Sequence, residues 1–270
     1  MVKDRIDRRF AACKAEDRAA FVAYVMAGDP DLATSLEILK GLPAAGADVI
    51  ELGLPFSDPM AEGPTIQLAA QRSLAGGMRT KGVLEMVREF RKADQDTPII
   101  LMGYLNPVYN FGYEAFGKAA AEAGVDGLIM VDCPPEEADP LADALDAAGL
   151  SLIRLATPTT DEARMPVVVR RTSGFIYYVS VAGVTGVKEA DETAVAPYVT
   201  RLRAASGLPV AVGFGIKTPE RAAAVARVAD AVVVGSAFVE VVGSTNENVT
   251  SSVLSKVETL AKAVRAARVP

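Results

Sequence analysis

Along most of this chain, short apolar runs alternate with longer stretches in which aliphatic residues recur every three or four positions among charges. A run of four to seven apolar residues closed by Gly or Pro reads as a strand covered on both faces. The three-to-four spacing reads as a helix with one buried stripe. On this basis strands are predicted at Phe21–Ala27, Val49–Leu54, Ile99–Tyr104, Gly127–Val131, Ser151–Thr157, Phe175–Val181, Val210–Phe214 and Ala231–Val234. Between them, helices are predicted at Leu32–Ala45, Thr65–Ala75, Tyr113–Ala123, Glu136–Ala148, Ala194–Ala204 and Glu220–Ala229. A short helix over residues 3–17 comes first, with Ile6, Phe10 and Cys13 on one stripe, and a last helix runs from about Asn248 to Ala267. The longest gap, between the second and third strands, holds a second helical pattern at Thr80–Lys92.

Chemical punctuation supports several of these boundaries. Asp31 stands where an N-cap belongs and Gly46 follows the helix, while Thr218-Pro219-Glu220 supplies a cap, a proline and an acid for a first turn. Eight strand-then-helix units with doubly covered strands predict a parallel sheet wrapped by helices, and eight is the number that closes into a (β/α)₈ barrel. An open doubly wound sheet is the alternative. No Gly/Ser or Pro-rich linker divides the chain, so residues 1–270 are expected to form a single barrel domain.

Composition narrows the setting. Half of the 270 residues are hydrophobic and 23% are charged, enough for a large core. A net charge of −6 argues against nucleic acid or an anionic membrane as partner, and no apolar run reaches the span of a transmembrane helix. With two cysteines, Cys13 and Cys133, and no apolar leader, a cytoplasmic location is expected. The chain contains no histidine. That removes the commonest general base and the His-dependent nucleophile pairs, so any proton transfer must run on carboxylates, tyrosines, lysines or water.

The chemistry concentrates after the second strand, in Val49–Thr65, VIELGLPFSDPMAEGPT. Two-residue alternation puts Glu51 on a face with Val49 and Gly53. A buried carboxylate there is costly to ionise without compensation. Glu62 follows on the loop, and together they form a candidate general acid/base pair. A structural ion pair between Glu51 and Arg154 of the fifth strand is the competing explanation, and Glu62 taken alone reads as a solvated loop acid. Glycines end three later strands, in Ala182-Gly183-Val184-Thr185-Gly186, Gly213-Phe214-Gly215-Ile216 and Gly235-Ser236-Ala237-Phe238. Any one of these corners reads as a tight turn. Three after adjacent strands read as a phosphate site. Tyr24, Met102 and Tyr177 stand late on their strands, either as core filling or as a flat apolar slot for a ring.

The segments FVAYVMAGDP, ELGLPFSDPMAEGPTIQ, GVTG and GFGI, in this order and spacing, resemble the α-subunit family of tryptophan synthase over nearly the whole chain. The resemblance implies a (β/α)₈ lyase that cleaves indole-3-glycerol phosphate to indole and glyceraldehyde 3-phosphate. It implies Glu51 as one catalytic residue and Glu62 as the other, the latter in Ala61-Glu62-Gly63 where the family normally carries aspartate. It further implies an aromatic pocket at Tyr24, Met102, Ile129, Leu155 and Tyr177, a loop threonine at Thr185, and a phosphate site at Gly186, Gly215, Gly235 and Ser236. The implied partner is a β subunit in an α2β2 tetramer. No metal or cofactor is implied for this chain, pyridoxal phosphate being expected only in the β subunit.

The implied chemistry suits these side chains. Cleavage between indole C3 and the glycerol side chain is a retro-aldol step requiring protonation at C3 and deprotonation of the side-chain hydroxyl. Two alternatives are set against it. Another phosphate-binding barrel enzyme would need a histidine or a strand-end lysine that the predicted strands lack. A binding-only regulatory barrel is kept open by the glutamate at position 62.

Overall fold

In the computed structural model, which describes residues 4–180, 192–213, 215–244 and 247–268, eight parallel strands close into a barrel in sequence order. They are β1 Ala20–Met26, β2 Val49–Gly53, β3 Ile99–Gly103, β4 Gly127–Met130, β5 Ser151–Ala156, β6 Ile176–Val179, β7 Val210–Gly213 and β8 Ala231–Val234. β8 returns to β1 with Ala20 opposite Ala231 and Val22 opposite Val233, which the open sheet would not allow. Two residues read as strand ends, Leu54 and Val131, lie just past the strands yet still donate to them, Leu54 N to Met102 O at 2.7 Å and Val131 N to Gly103 O at 3.0 Å.

Strict alternation divides every strand between two cores. Ile50, Leu52, Leu101, Leu128, Leu152 and Val232 face outward and pack under the helical layer. Val22, Val49, Ile100, Ile129, Ile153, Ala211 and Val233 face inward and fill the barrel. Below them the helix Asp4–Ala15 closes the bottom, because its stripe of Ile6, Phe10 and Cys13 joins the inner core and Phe10 meets Phe175 at 5.5 Å between ring centres.

Two aspartates pin that closure. Asp126 accepts Arg5 Nη1 at 2.9 Å, Arg91 Nη2 at 2.8 Å and the Ile99 amide at 2.8 Å. Asp48 accepts Arg18 Nη1 at 2.7 Å and the Phe21 amide at 2.9 Å. Buried carboxylates are tolerated at the N-terminal strand ends because guanidinium and amide donors meet them. The opposite end of the barrel is left open for chemistry.

Three helices lie outside the ranges assigned from periodicity: Leu105–Phe111, Met165–Val169 and Ser236–Ser244. Pro107 and Pro166 both stand in a first turn, where a missing amide costs nothing. The helix at Ser236 follows β8 without a polar break, so periodicity could not separate the two. The stretch expected as a helix over Glu136–Ala148 is a 3₁₀ turn, Pro135–Glu137, followed by a helix, Asp139–Ala148, with Pro140 in its first turn.

Candidate active site

The C-terminal mouth of the barrel holds a cavity of about 270 Å³. Its walls come from Tyr24, Met102, Leu155 and Tyr177, which supply the apolar slot, together with Val131, Val179, Val233, Ala61, Ile66 and Ile216. Both carboxylates, Glu51 and Glu62, line it, as do Gly215, Gly235 and Ser236. The polar groups at the edge and the apolar ring slot within it suit a ligand with a planar end and an anionic end.

Glu51 is held by β2, opposite Tyr24 of β1 and Ile100 of β3. It is 2% exposed, and its Oε2 has no hydrogen-bond partner. Burial, reinforced by the charge of Glu62, lifts its pKa to about 8. The suggested pair with Arg154 does not form. Arg154 stands one residue out of step with the inward Ile153, faces the helical layer, and donates from Nη1 to Cys133 O at 3.0 Å. Among the described residues no cation pairs with the carboxyl, which is therefore uncharged over much of the neutral range.

Glu62 sits on the loop before the helix Pro64–Ala75 and is partly exposed. Its amide donates to Pro59 O at 3.1 Å, and its carbonyl accepts Gln67 Nε2 at 2.9 Å, so the backbone is tied while the side chain turns to the cavity. Burial raises this carboxyl to about 7. Tyr24 and Tyr177 are pushed well above the usual phenol value by burial and then by the two carboxylates. They remain neutral donors throughout the physiological range.

Two glycines make the slot possible. A methyl group on Gly53 would lie 2.5 Å from the Tyr24 hydroxyl, and one on Gly213 would lie 2.5 Å from the Tyr177 hydroxyl. Each tyrosine leans over the last residue of the neighbouring strand, and only a residue without Cβ leaves room.

At the glycine-rich edge of the cavity, Gly215 adopts φ 71°. Gly235 leads into the helix Ser236–Ser244, whose third and fourth amides, Phe238 N and Val239 N, turn back to Gly235 O at 2.9 and 3.3 Å. The amides of Ser236 and Ala237 head that helix, where no intrahelical acceptor exists and the dipole favours an anion.

Of the residues singled out from sequence, Glu51, Glu62, Tyr24, Met102, Leu155, Tyr177, Gly215, Gly235 and Ser236 line one cavity. Ile129 does not. It is opposite Met102 in register, but tilted strands put that partner lower along the barrel axis, where Ile129 is fully buried in the inner core. Val131, two residues on and on the same face, takes its place. Extending the alternation of β4 by one step would have found it. Thr185 and Gly186 lie outside the described residues, as do Phe214 and the rest of Ala182-Gly183-Val184. Among the described residues, no group of three or more acidic or cysteine side chains converges as metal ligands would.

Comparison with known proteins bears on this geometry directly. The family model described as tryptophan synthase alpha chain matches residues 10–268. The chain is 74% identical over 272 residues to the tryptophan synthase alpha chain of Caulobacter vibrioides, covering 100% of this chain and 99% of the relative. It is 74% identical over 271 residues to that of Phenylobacterium zucineum, covering 99% and 98%. Among solved structures, tryptophan synthase subunit alpha from Legionella pneumophila superposes with a TM-score of 0.89 at 42% identity, covering 96% of this chain and 98% of that one. A chain of Mycobacterium tuberculosis tryptophan synthase gives 0.88 at 35% identity, covering 97% and 98%. A barrel of this closure, a mouth of this composition and identity at this level over the full length place the chain in the tryptophan synthase alpha chain family.

Proposed function

We propose that the chain catalyses the α reaction of tryptophan synthase, the retro-aldol cleavage of indole-3-glycerol phosphate to indole and glyceraldehyde 3-phosphate, with Glu51 and Glu62 as its catalytic residues. Family membership makes it a lyase of tryptophan biosynthesis whose indole passes to a β subunit. The observation that carries the residue assignment is the pair of carboxylates on one apolar slot, each raised toward neutrality.

The indole ring occupies the slot between Tyr24, Met102, Leu155 and Tyr177. The phosphate lies at Gly215, Gly235 and Ser236, joined by Gly186, and Thr185 helps to position the loop acid. Glu51 in its protonated form donates to C3, which converts the ring to an indolenine. It then takes the proton of the side-chain hydroxyl as the carbon–carbon bond opens. The electron pair of that bond returns to the ring and restores aromatic indole. Glu62, ionised, accepts a hydrogen bond from the indole N–H and offsets the positive charge that develops there.

Every step moves protons and one carbon–carbon bond without net oxidation, so no cofactor is assigned to this chain. Pyridoxal phosphate belongs to the β subunit. The chain acts as one barrel domain in the cytoplasm, within an α2β2 assembly, with neither nucleic acid nor membrane as partner. Among the described residues no helix is long and apolar enough to cross a membrane.

The test is indole release from indole-3-glycerol phosphate by native protein and by Glu51→Gln. A positioned acid/base contributes about 10²–10⁴-fold, so the variant is expected to lose at least 10²-fold in single turnover while remaining folded. Near-normal release would remove Glu51 from the mechanism. No release by the native chain, alone or with a β subunit, would remove the reaction.

A further inference from the structure

The helix Ser236–Ser244, whose first residue lines the cavity, is met at its far end by a side chain from another helix. Arg72, in the last turn of Pro64–Ala75, lays its guanidinium against Gly243. A methyl group on that glycine would lie 3.3 Å from Nη1 and 3.4 Å from Nη2. The same guanidinium donates through Nε and Nη2 to the two carboxylate oxygens of Asp29, at 2.7 and 2.8 Å. Asp29 is 3% exposed and belongs to the segment by which the chain leaves β1. That segment is tied on two sides. Ser73 Oγ, beside Arg72, donates to Ala27 O at 2.5 Å, and the Gly28 amide donates to Ser35 Oγ at 2.9 Å. A fixed strand exit therefore holds a carboxylate, the carboxylate holds a guanidinium, and the guanidinium bears on the last turn of the helix.

We propose that Arg72, oriented by Asp29, is a positioning residue for the phosphate end of the site, and that it sets where the amides of Ser236 and Ala237 stand by holding their helix from its far end. This rests on the placement of the phosphate at Gly215, Gly235 and Ser236 given above. A helix of nine residues is about 13 Å long and moves as a rod. At its middle, Val239 packs among Ile66, Ala69 and Ala70 of the helix Pro64–Ala75 and Tyr24 and Met26 of β1. Apolar contacts are non-directional, so they keep the rod on the barrel without fixing its tilt. A bidentate carboxylate–guanidinium pair has a defined geometry, and this one stands where a displacement of the rod swings its head by a comparable amount. Donors that recognise an anion serve it only when held within about 0.5 Å of their places. Arg72 is absent from the cavity wall, so it acts through the helix.

Stability alone gives little reason for such a pair. Burying Asp29 costs desolvation, and apolar side chains of the same volume are often as stable or more so. What the ions add is orientation. The positive charge also suits its place, because the C-terminal turn is the negative end of the helix dipole.

Two variants test this, read by calorimetry with glycerol 3-phosphate and with indole. Gly243 is a helical residue without a positive φ, so alanine suits its backbone, while the added methyl displaces the guanidinium by a few tenths of an ångström. Gly243→Ala is expected to melt at or above the native temperature and yet to bind glycerol 3-phosphate roughly threefold more weakly. Arg72→Lys keeps the charge and loses the planar fork. It is expected to bind glycerol 3-phosphate roughly tenfold more weakly, with indole affinity within about twofold of native. In both variants KM for indole-3-glycerol phosphate should rise in proportion, and kcat at saturation should stay within about twofold. A merely structural role would lower the melting temperature and leave the ratio of the two affinities unchanged. Native affinity for glycerol 3-phosphate in folded samples of either variant would overturn the proposal, as would equal losses for the two ligands. Native protein with no measurable affinity for glycerol 3-phosphate would instead defeat the phosphate placement itself, and the two failures are distinct.

Discussion

Glu51 combines near-complete burial with an oxygen that has no hydrogen-bond partner, and both act on its proton in one direction. Because its folded pKa of about 8 lies above the ordinary 4.5, the folded state keeps a proton that the unfolded chain releases. The associated stability is present below about pH 4.5 and is lost progressively as pH rises through about 8. The full swing is on the order of 5 kcal/mol, as an upper figure for a buried group. Glu51→Gln should therefore gain melting temperature over native protein as pH goes from 5 to 8, and a constant difference across that range would contradict the isolated carboxyl. The active pair holds one proton, on Glu51, with Glu62 ionised. Since the two groups titrate near 8 and 7, kcat/KM should trace a narrow bell whose limbs belong to the coupled pair. Glu62→Gln removes the charge that lifts Glu51, so in the residual activity the alkaline limb should move to lower pH. Glu62→Asp, which restores the family's usual residue, should keep substantial indole release because the carboxylate remains.

At the scale of elements, the mouth is built by strand ends and helix starts, which on the proposed reading would meet the two ends of the ligand. β7 and β8 deliver backbone and hydroxyl donors at Gly215 and at Ser236, the first residue of its helix, while β1, β3, β5 and β6 deliver the slot. The two poles can be separated by mutation only where they do not touch. Gly235 is unsuited to this, since a Cβ there would lie 3.1 Å from Tyr24 Cβ and disturb the slot as well. Ser236→Asp sets a negative charge at the head of the helix Ser236–Ser244 instead. It should weaken glycerol phosphate binding roughly tenfold or more and leave indole binding within about twofold. Calorimetry with the two ligands decides it, and equal losses would remove the phosphate assignment.

The whole molecule has a closed end and an open one. Arg5, Arg18 and Arg91 fasten the bottom through Asp48 and Asp126, and the barrel interior is filled up to the level of Ile129 and Ile153. At the open end, Met60 is 79% exposed and Tyr109 is 65% exposed, two large apolar side chains flanking the mouth. Such side chains at a rim suit burial against another protein. The segment Phe56–Met60 and the residues Asn106–Asn110, the latter helical here, are the surface expected to meet a β subunit. A cognate β chain should co-elute with this protein and raise its steady-state activity by an amount in keeping with coupling of about 1–3 kcal/mol. Separate elution together with unchanged activity would exclude this face as the dock.

Much of this protein was determined by its sequence alone, because the properties concerned are local or periodic. Short apolar runs closed by Gly or Pro identified all eight strands, and two-residue alternation put Glu51 on the face of Val49, the face that the closed barrel turns inward. The absence of histidine confined proton chemistry to groups such as Glu51 and Glu62. The ELGLPFSDPMAEGPTIQ stretch was specific enough to indicate the family. Other features depended on distance in space, which no local pattern carries. Strand tilt decided that Val131, not Ile129, reaches the slot, and closure of β8 onto β1 decided between barrel and open sheet. Opposite faces of separate strands decided that Arg154 could not meet Glu51. The elevated pKa values of the two glutamates likewise arise from desolvation by residues far apart in the chain, and only the assembled barrel brings those residues around them.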